Sequence, residues 1–465
     1  MRYVSTRGRA PALSFEEAML GGLARDGGLY VPESVPAMAP GAIAALAGLT
    51  YEEAALRVMR PFLGGCFAED AFRAILARAY ASFRHPARCP LVQIGPNDWI
   101  LELHHGPTLA FKDMAMQLIG QMFEAVLKRR GERLTIVGAT SGDTGSAAIE
   151  AFRGLDKVDV FILYPHGRVS EVQRRQMTTP AEPNVHALAV EGDFDDCQAL
   201  VKAMFNDHAF RDAVGLAAVN SINWARVLAQ TVYYFTAAVA LGAPARPVAF
   251  CVPTGNFGDI YAGHVARRMG LPVSRLVIAT NENDILHRTL EEGIYERRGV
   301  VATSAPSMDI QVSSNFERLL FELLDGDGRA LAQLMDELAA TGRFAVSRGA
   351  LERLREGFAS ARIDRSRVEE TIARVAREAE IVIDPHTAIG VAAGRACRGD
   401  PAVPMVALGT AHAAKFPDAV EAACGIRPPL PERLADLYER EEWITPIRND
   451  LAAVETLIRE RRGAH

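Results

Sequence analysis

The chain has 465 residues, 49% hydrophobic and 23% charged, enough for two or three domains around a large buried core. Its formal net charge is -6, from 51 basic and 57 acidic residues, which argues against a nucleic-acid or anionic-membrane surface as the main partner. An anionic small substrate stays possible, because local basic groups decide that. The six cysteines, Cys66, Cys89, Cys197, Cys251, Cys397 and Cys424, are scattered with no CxxC. A disulfide framework, a zinc site or any other metal centre is not expected, and a reducing cytoplasm fits. No apolar run reaches membrane-spanning length, and the start of the chain lacks the apolar core of a signal peptide.

Residues 1–90 read as a mostly helical N-terminal domain. Ser14 followed by Glu17 is a capping-box pattern, and the helix it opens ends at Gly21-Gly22. Asp26-Gly27-Gly28 is a turn before a short extended piece, and helical patterns recur over 51–59 and 69–82. Residues 91–240 read as an α/β domain. It opens with a hairpin, 91–94 and 99–103, over Gly95-Pro96-Asn97-Asp98. Strands follow at 134–137, 158–164 and 185–190, with helices from about 144, at 169–177, 195–205 and 222–241. Residues 241–465 read as a second α/β domain. Its strands fall at 248–252, 275–279, 381–383 and 405–408, with a helical insertion over 313–378 and a polar, helical tail after Pro428. The βαβ succession predicts parallel open sheets covered by helices.

Lys112 stands out in His104-His105-Gly106-Pro107-Thr108-Leu109-Ala110-Phe111-Lys112-Asp113. Gly106-Pro107 forces a turn, and an apolar, helix-favouring run follows. An amine at such a junction is partly desolvated, which lowers its pKa and suits it to Schiff-base chemistry. Taken alone, a solvated surface lysine is the commoner outcome.

Five further stretches place small or polar residues at the start of a helix, mostly after a strand, where open α/β sheets bind ligands. Gly138-Ala139-Thr140-Ser141-Gly142-Asp143-Thr144-Gly145 offers backbone N–H groups and hydroxyls suited to a carboxylate. Pro253-Thr254-Gly255-Asn256-Phe257-Gly258-Asp259 has two glycines three apart that allow close approach to a phosphate. It lacks the P-loop lysine and the dinucleotide fingerprint, so a single-phosphate cofactor fits better than a nucleotide. Asn220-Ser221-Ile222-Asn223-Trp224-Ala225-Arg226 combines a helix cap with one planar cation, a second phosphate site or an ordinary cap with a surface arginine. In Asp384-Pro385-His386 and Leu408-Gly409-Thr410-Ala411-His412-Ala413-Ala414-Lys415, Thr410 could meet a ring nitrogen. His386 and His412 read as structural.

Each piece is weak alone, but their order and spacing are specific. With Tyr3-Val4-Ser5-Thr6-Arg7-Gly8 and Asp26-Gly27-Gly28-Leu29-Tyr30-Val31-Pro32, the whole chain resembles the threonine synthase family, in its longer bacterial and fungal branch. The resemblance implies an α/β pyridoxal-phosphate enzyme of fold type II, the tryptophan-synthase-β type. It would convert O-phospho-L-homoserine and water into L-threonine and phosphate, as a cytoplasmic monomer or homodimer. Lys112, after Phe111, would carry the cofactor covalently. Gly255, Asn256, Phe257, Gly258 and Asp259 would hold its phosphate, and Thr410 would face its ring nitrogen. Thr140, Ser141, Gly142 and Thr144 would bind the substrate carboxylate, and Asn220, Ser221 and Arg226 the substrate phosphate. Asp143 would lie near the cofactor's phenolic oxygen, where shorter relatives carry Asn. Two negative oxygens repel, so Asp143 is expected either to turn away or to share a proton. Two other readings remain: a serine or threonine dehydratase of the same fold, which needs no substrate-phosphate site, and a non-catalytic binder of phosphorylated ligands.

Overall fold

Two sheets place every loop singled out above. The computed structural model describes residues 1–463. A five-stranded sheet runs, in spatial order, Thr445–Arg448, Val185–Glu191, Val158–Pro165, Leu134–Ala139 and Leu216–Ala217, all neighbours parallel. A six-stranded sheet runs Phe358–Arg362, Val273–Thr280, Val248–Pro253, Met405–Gly409, Asp98–Glu102 and Leu91–Gly95. Only its last pair is antiparallel. Every residue of Val158–Pro165 and Val248–Pro253 is buried. Continuous apolar runs of this kind belong to strands covered on both faces.

Helices Lys112–Arg130, Trp224–Ala240 and Gly258–Arg268 pack in succession between the sheets. Trp224–Ala240 is buried almost all round, as a helix between two layers must be. The predicted capping box at Ser14 forms, and Thr50 with Glu53 makes a second. In the N-terminal region, Tyr3–Ser5 pairs antiparallel with Tyr30–Pro32. The turn after Ala139, the turn after Pro253 and Thr410 after Gly409 all lie at the carboxyl ends of parallel strands.

Four expectations need correction. The hairpin at 91–103 forms, but it extends the six-stranded sheet, with Asp98 opposite Met405 and Glu102 opposite Gly409. Its sequence neighbours therefore lie in the other sheet. Residues 381–383 are not a strand. Met405–Gly409 already has hydrogen-bonded neighbours on both sides, so no adjacent edge is open to them. The stretch 313–378 is not wholly helical: Phe358–Arg362 is the far edge of the six-stranded sheet, and Arg343–Ala345 pairs with Ile294–Glu296. The polar tail contains the edge strand Thr445–Arg448, where Pro446 is tolerated.

Candidate active site

Lys112 is the first residue of its helix. Asp113 fastens the turn before it: its carboxylate accepts from the Thr108 N–H at 2.8 Å and the Thr108 hydroxyl at 2.7 Å. The Phe111 N–H donates to the Thr410 carbonyl at 2.8 Å, and the His412 N–H to the Leu109 carbonyl at 3.0 Å. The lysine turn and the end of Met405–Gly409 are thus held side by side. Lys112 is buried, with Nζ 3.2 Å from Asp143 Oδ2 and 3.5 Å from Ser307 Oγ. Burial lowers its pKa and the nearby Lys415 lowers it further, against the pull of Asp143.

Asp143 opens the helix after Leu134–Ala139. Gly142 before it has φ +144°, and a Cβ there would lie 2.4 Å from the Gln173 side chain, so only glycine fits. Thr140 Oγ1 accepts from the N–H groups of Gly142 and Gly145, both at 2.9 Å. Asp143 Oδ1 accepts from Lys415 Nζ at 2.7 Å and Gln173 Nε2 at 2.8 Å; Oδ2 faces Lys112 and, at 3.4 Å, Ser307 Oγ. Burial alone would raise the Asp143 pKa, but the neighbouring Lys112 and Lys415 outweigh it and hold the carboxyl well below its usual range. Lys415 thus gives the Asp143 carboxylate a buried counter-charge.

The second turn starts after Val248–Pro253. Phe257 sits at φ +63°, and a Cβ on Gly255 would lie 2.7 Å from the Ser307 carbonyl oxygen. The Gly255 carbonyl accepts from Ser313 Oγ at 2.7 Å, and the Asn256 carbonyl from the Asn315 N–H at 3.0 Å and Nδ2 at 2.9 Å. Asn315 Nδ2 also reaches the Ser221 carbonyl at 3.1 Å, so one amide ties the two proposed phosphate loops together. Arg318 donates to Asn315 Oδ1, to the Ile222 carbonyl and to the Tyr30 carbonyl, bringing the N-terminal region into the same brace.

Asp259 does not turn toward the loop's N–H groups. Its Oδ1 accepts from both Tyr233 and Tyr234, while Oδ2 is buried without a hydrogen-bond partner. Burial pushes its pKa up to about 6 despite those hydroxyls. Arg226 is buried and makes one long bond, from Nη1 to the Val219 carbonyl at 3.4 Å. Its Nε has no partner, and no carboxylate lies in ion-pair range of it among the described residues. Desolvation lowers its pKa to about 10, opposed chiefly by Tyr233 and Asp259.

The structure thus unites Lys112 with Asp143, and Ser221 with the Gly255–Asp259 turn. Asn220 and Asn256 are exposed, Ser141 and Thr144 half-buried, and Thr410 buried. Thr140 spends its hydroxyl within its own loop. His412 caps the turn Ala413–Lys415, and His386 pairs with Asp384 at 2.6 Å, so both histidines have structural partners. Sequence reasoning missed Lys415, Gln173 and Ser307. Ser307 lies in the long stretch between Glu296 and Phe316, which has only a short 3₁₀ turn, and that length was its one signal. A buried amine of lowered pKa, a glycine turn at a helix start, and an orphaned guanidinium together fit pyridoxal phosphate and an anionic substrate.

The family model described as "Threonine synthase N terminus" matches residues 2–80, "Pyridoxal-phosphate dependent enzyme" residues 88–333, and "Threonine synthase, C-terminal" residues 387–458. The chain is 56% identical to the threonine synthase of Pseudomonas aeruginosa, covering 98% of each. The chain belongs to the threonine synthase family. It superposes on the PLP-bound threonine synthase of Brucella melitensis with TM-score 0.97 at 57% identity, covering 99% of both chains. The yeast threonine synthase gives TM-score 0.93 at 42% identity, over 99% of this chain and 98% of that one. The fold is therefore that of the family, a fold type II pyridoxal-phosphate enzyme, as the sequence motifs implied. Among the described residues no helix is long and apolar enough to cross a membrane.

Proposed function

We propose that this enzyme converts O-phospho-L-homoserine and water into L-threonine and phosphate, with the residue roles that follow. Pyridoxal phosphate, when bound, supplies the electron sink for carbanion chemistry. Lys112 would hold it covalently beside Phe111. The Gly255–Asp259 turn would hold its phosphate, with N–H groups at the start of Gly258–Arg268 available because Asp259 is engaged elsewhere. Thr410 would face its ring nitrogen.

Lys112 Nζ would be the base that takes the proton from substrate Cα and then one from Cβ. A lowered basicity suits this, since it raises the fraction of the amine that is free to accept a proton. The Thr140–Thr144 turn would orient the substrate carboxylate; Thr140 shapes the turn, leaving Ser141, Gly142 and Thr144 to make contact. Asn220, Ser221 and Arg226 would take the substrate phosphate. Water adds at Cβ after phosphate has left Cγ.

The observation that carries this reading is Arg226: a buried guanidinium without a carboxylate partner, in the same cluster as a buried amine. Serine and threonine carry no phosphate, so a dehydratase would have no use for it. The free cysteines support a cytoplasmic location. The test compares phosphate release from O-phospho-L-homoserine with ammonia release from threonine. Phosphate release should dominate by orders of magnitude; dominant ammonia release would overturn the reading.

A further inference from the structure

We infer that Lys415 is a positioning residue that keeps Lys112 available as a free amine by holding the Asp143 carboxylate and placing a fixed positive charge beside it. This rests on the reading of Lys112 as the amine that carries the cofactor.

Lys415 has no solvent exposure and ends the short turn after Met405–Gly409. Its Nζ lies 2.7 Å from Asp143 Oδ1 and 2.8 Å from the Thr108 carbonyl oxygen. Lys112 meets the other carboxylate oxygen at the longer 3.2 Å, and its second acceptor, Ser307 Oγ, is at 3.5 Å. Two amines thus share one carboxylate in a site nearly closed to water. If both were charged, the cluster would carry an excess cation with little solvent to screen it. The amine with poorer acceptors is the one that gives up its proton, and that amine is Lys112.

The other groups around Lys112 act in the same sense or weakly against it. Arg226 adds positive potential from Trp224–Ala240. Asp259, from Gly258–Arg268, is drawn toward its proton by burial and screened by Tyr233 and Tyr234. Ser307 is neutral, and the Phe111 ring centroid stands 4.9 Å from Lys112 Nζ. Gln173 holds Asp143 Oδ1 on the Lys415 side. The depressed pKa of Lys112 agrees with this arrangement. Lys415 also leaves Asp143 with a counter-charge once Lys112 is covalently engaged.

The experiment titrates Lys112 itself in the full-length chain stripped of cofactor. Acetic anhydride labelling of Lys112 is followed by peptide mass spectrometry between about pH 6 and 10, a range that spans the free-lysine pKa and the region below it. In the parent, the labelling midpoint should lie below that of a free lysine. Lys415→Met should raise it, so that Lys112 labels about tenfold more slowly at neutral pH, equivalent to about one pH unit. Lys415→Arg retains the charge and should restore most of the parental profile. Asp143→Asn should move the midpoint the other way, down, and speeds labelling at neutral pH. An unchanged profile in Lys415→Met, or equal shifts in the Met and Arg variants, would overturn the inference. If Lys415→Met does not fold by circular dichroism, an unmoved profile in Asp143→Asn overturns it instead. Failure of the underlying reading shows separately, as covalent cofactor retained by Lys112→Ala, because the labelling uses no cofactor.

Discussion

Asp143 and Asp259 are the same residue in the same local setting. Each lies in the first turn of a helix, behind a glycine-containing loop, at the carboxyl end of a parallel strand, and each is buried. Their chemistry is opposite: Asp143 is held well below the usual carboxylate range, while Asp259 is pushed up to about 6. Burial raises both, and the helix N-terminus favours the anion in both. The difference comes from partners at hydrogen-bond distance, two lysines and an amide for Asp143 and two tyrosine hydroxyls for Asp259. A fixed anion suits the end of the site where an amine must be tuned. At the proposed phosphate end it would repel the ligand, so there the carboxyl is turned onto tyrosines.

Removing the amine that faces Asp143 should have the largest effect. Lys112→Ala should fold normally and lose turnover by about four orders of magnitude or more, as loss of a covalent catalytic group does. Circular dichroism and single-turnover phosphate release check this, and normal turnover would end the assignment. Next is Arg226, the cation nearest the second turn. Arg226→Ala should lower kcat/KM for O-phospho-L-homoserine by about 10²–10³-fold, while a slow reaction on threonine falls much less. Lysine there should rescue only part, lacking the bidentate fork. Equal losses on both substrates would mean that Arg226 supports the fold or the cofactor.

A smaller effect is expected from Gly255→Val, whose Cβ would press on the Ser307 carbonyl oxygen. Cofactor affinity should fall by about tenfold or more, as for a loss of 1–2 kcal/mol, read by fluorescence titration. Unchanged affinity would remove the turn from the cofactor site. A pH dependence sharpens the contrast between the two carboxyls. Folded Asp259 binds its proton more tightly than the unfolded chain does. Its contribution to stability is therefore full below about pH 3.8 and is lost as pH rises through about 6. Asp259→Asn lacks that dependence. Urea unfolding should show the parent-minus-variant stability falling by on the order of 2–3 kcal/mol between about pH 4 and 7. A difference flat with pH would contradict the protonation of Asp259.

Much of the scaffold was legible because it rests on local patterns. Val158–Pro165 and Val248–Pro253 are unbroken apolar runs, and Ser14 with Glu17 is a self-contained cap. The strands that escaped notice, Phe358–Arg362 and Thr445–Arg448, are short edges, where polar and charged residues blur the alternation. Residues 381–383 looked like a strand because β-branched residues favour one, but strand pairing is decided by which edge is open. In the site, the turn and helix around Lys112 allowed a desolvated amine, but only the other motifs along the chain favoured it over a surface lysine. Lys415 was in plain view after His412, yet nothing local distinguishes a lysine bound for the interior from one bound for solvent.

By itself, the sequence determined the types and order of the reactive groups: a lysine at a turn-to-helix junction, glycine turns after strands, and an arginine in the first helical turn after a cap. Those follow from backbone preferences that act over a few residues. The tertiary structure alone decided their charges. Lys112, Asp143 and Lys415 come from segments 31 and 272 residues apart, counted from Lys112 to Asp143 and from Asp143 to Lys415, and only the packing of two sheets brings them within hydrogen-bond distance. Interactions between ionisable groups fall off with distance and strengthen when water is excluded. Neither the distance nor the exclusion exists until the chain has folded.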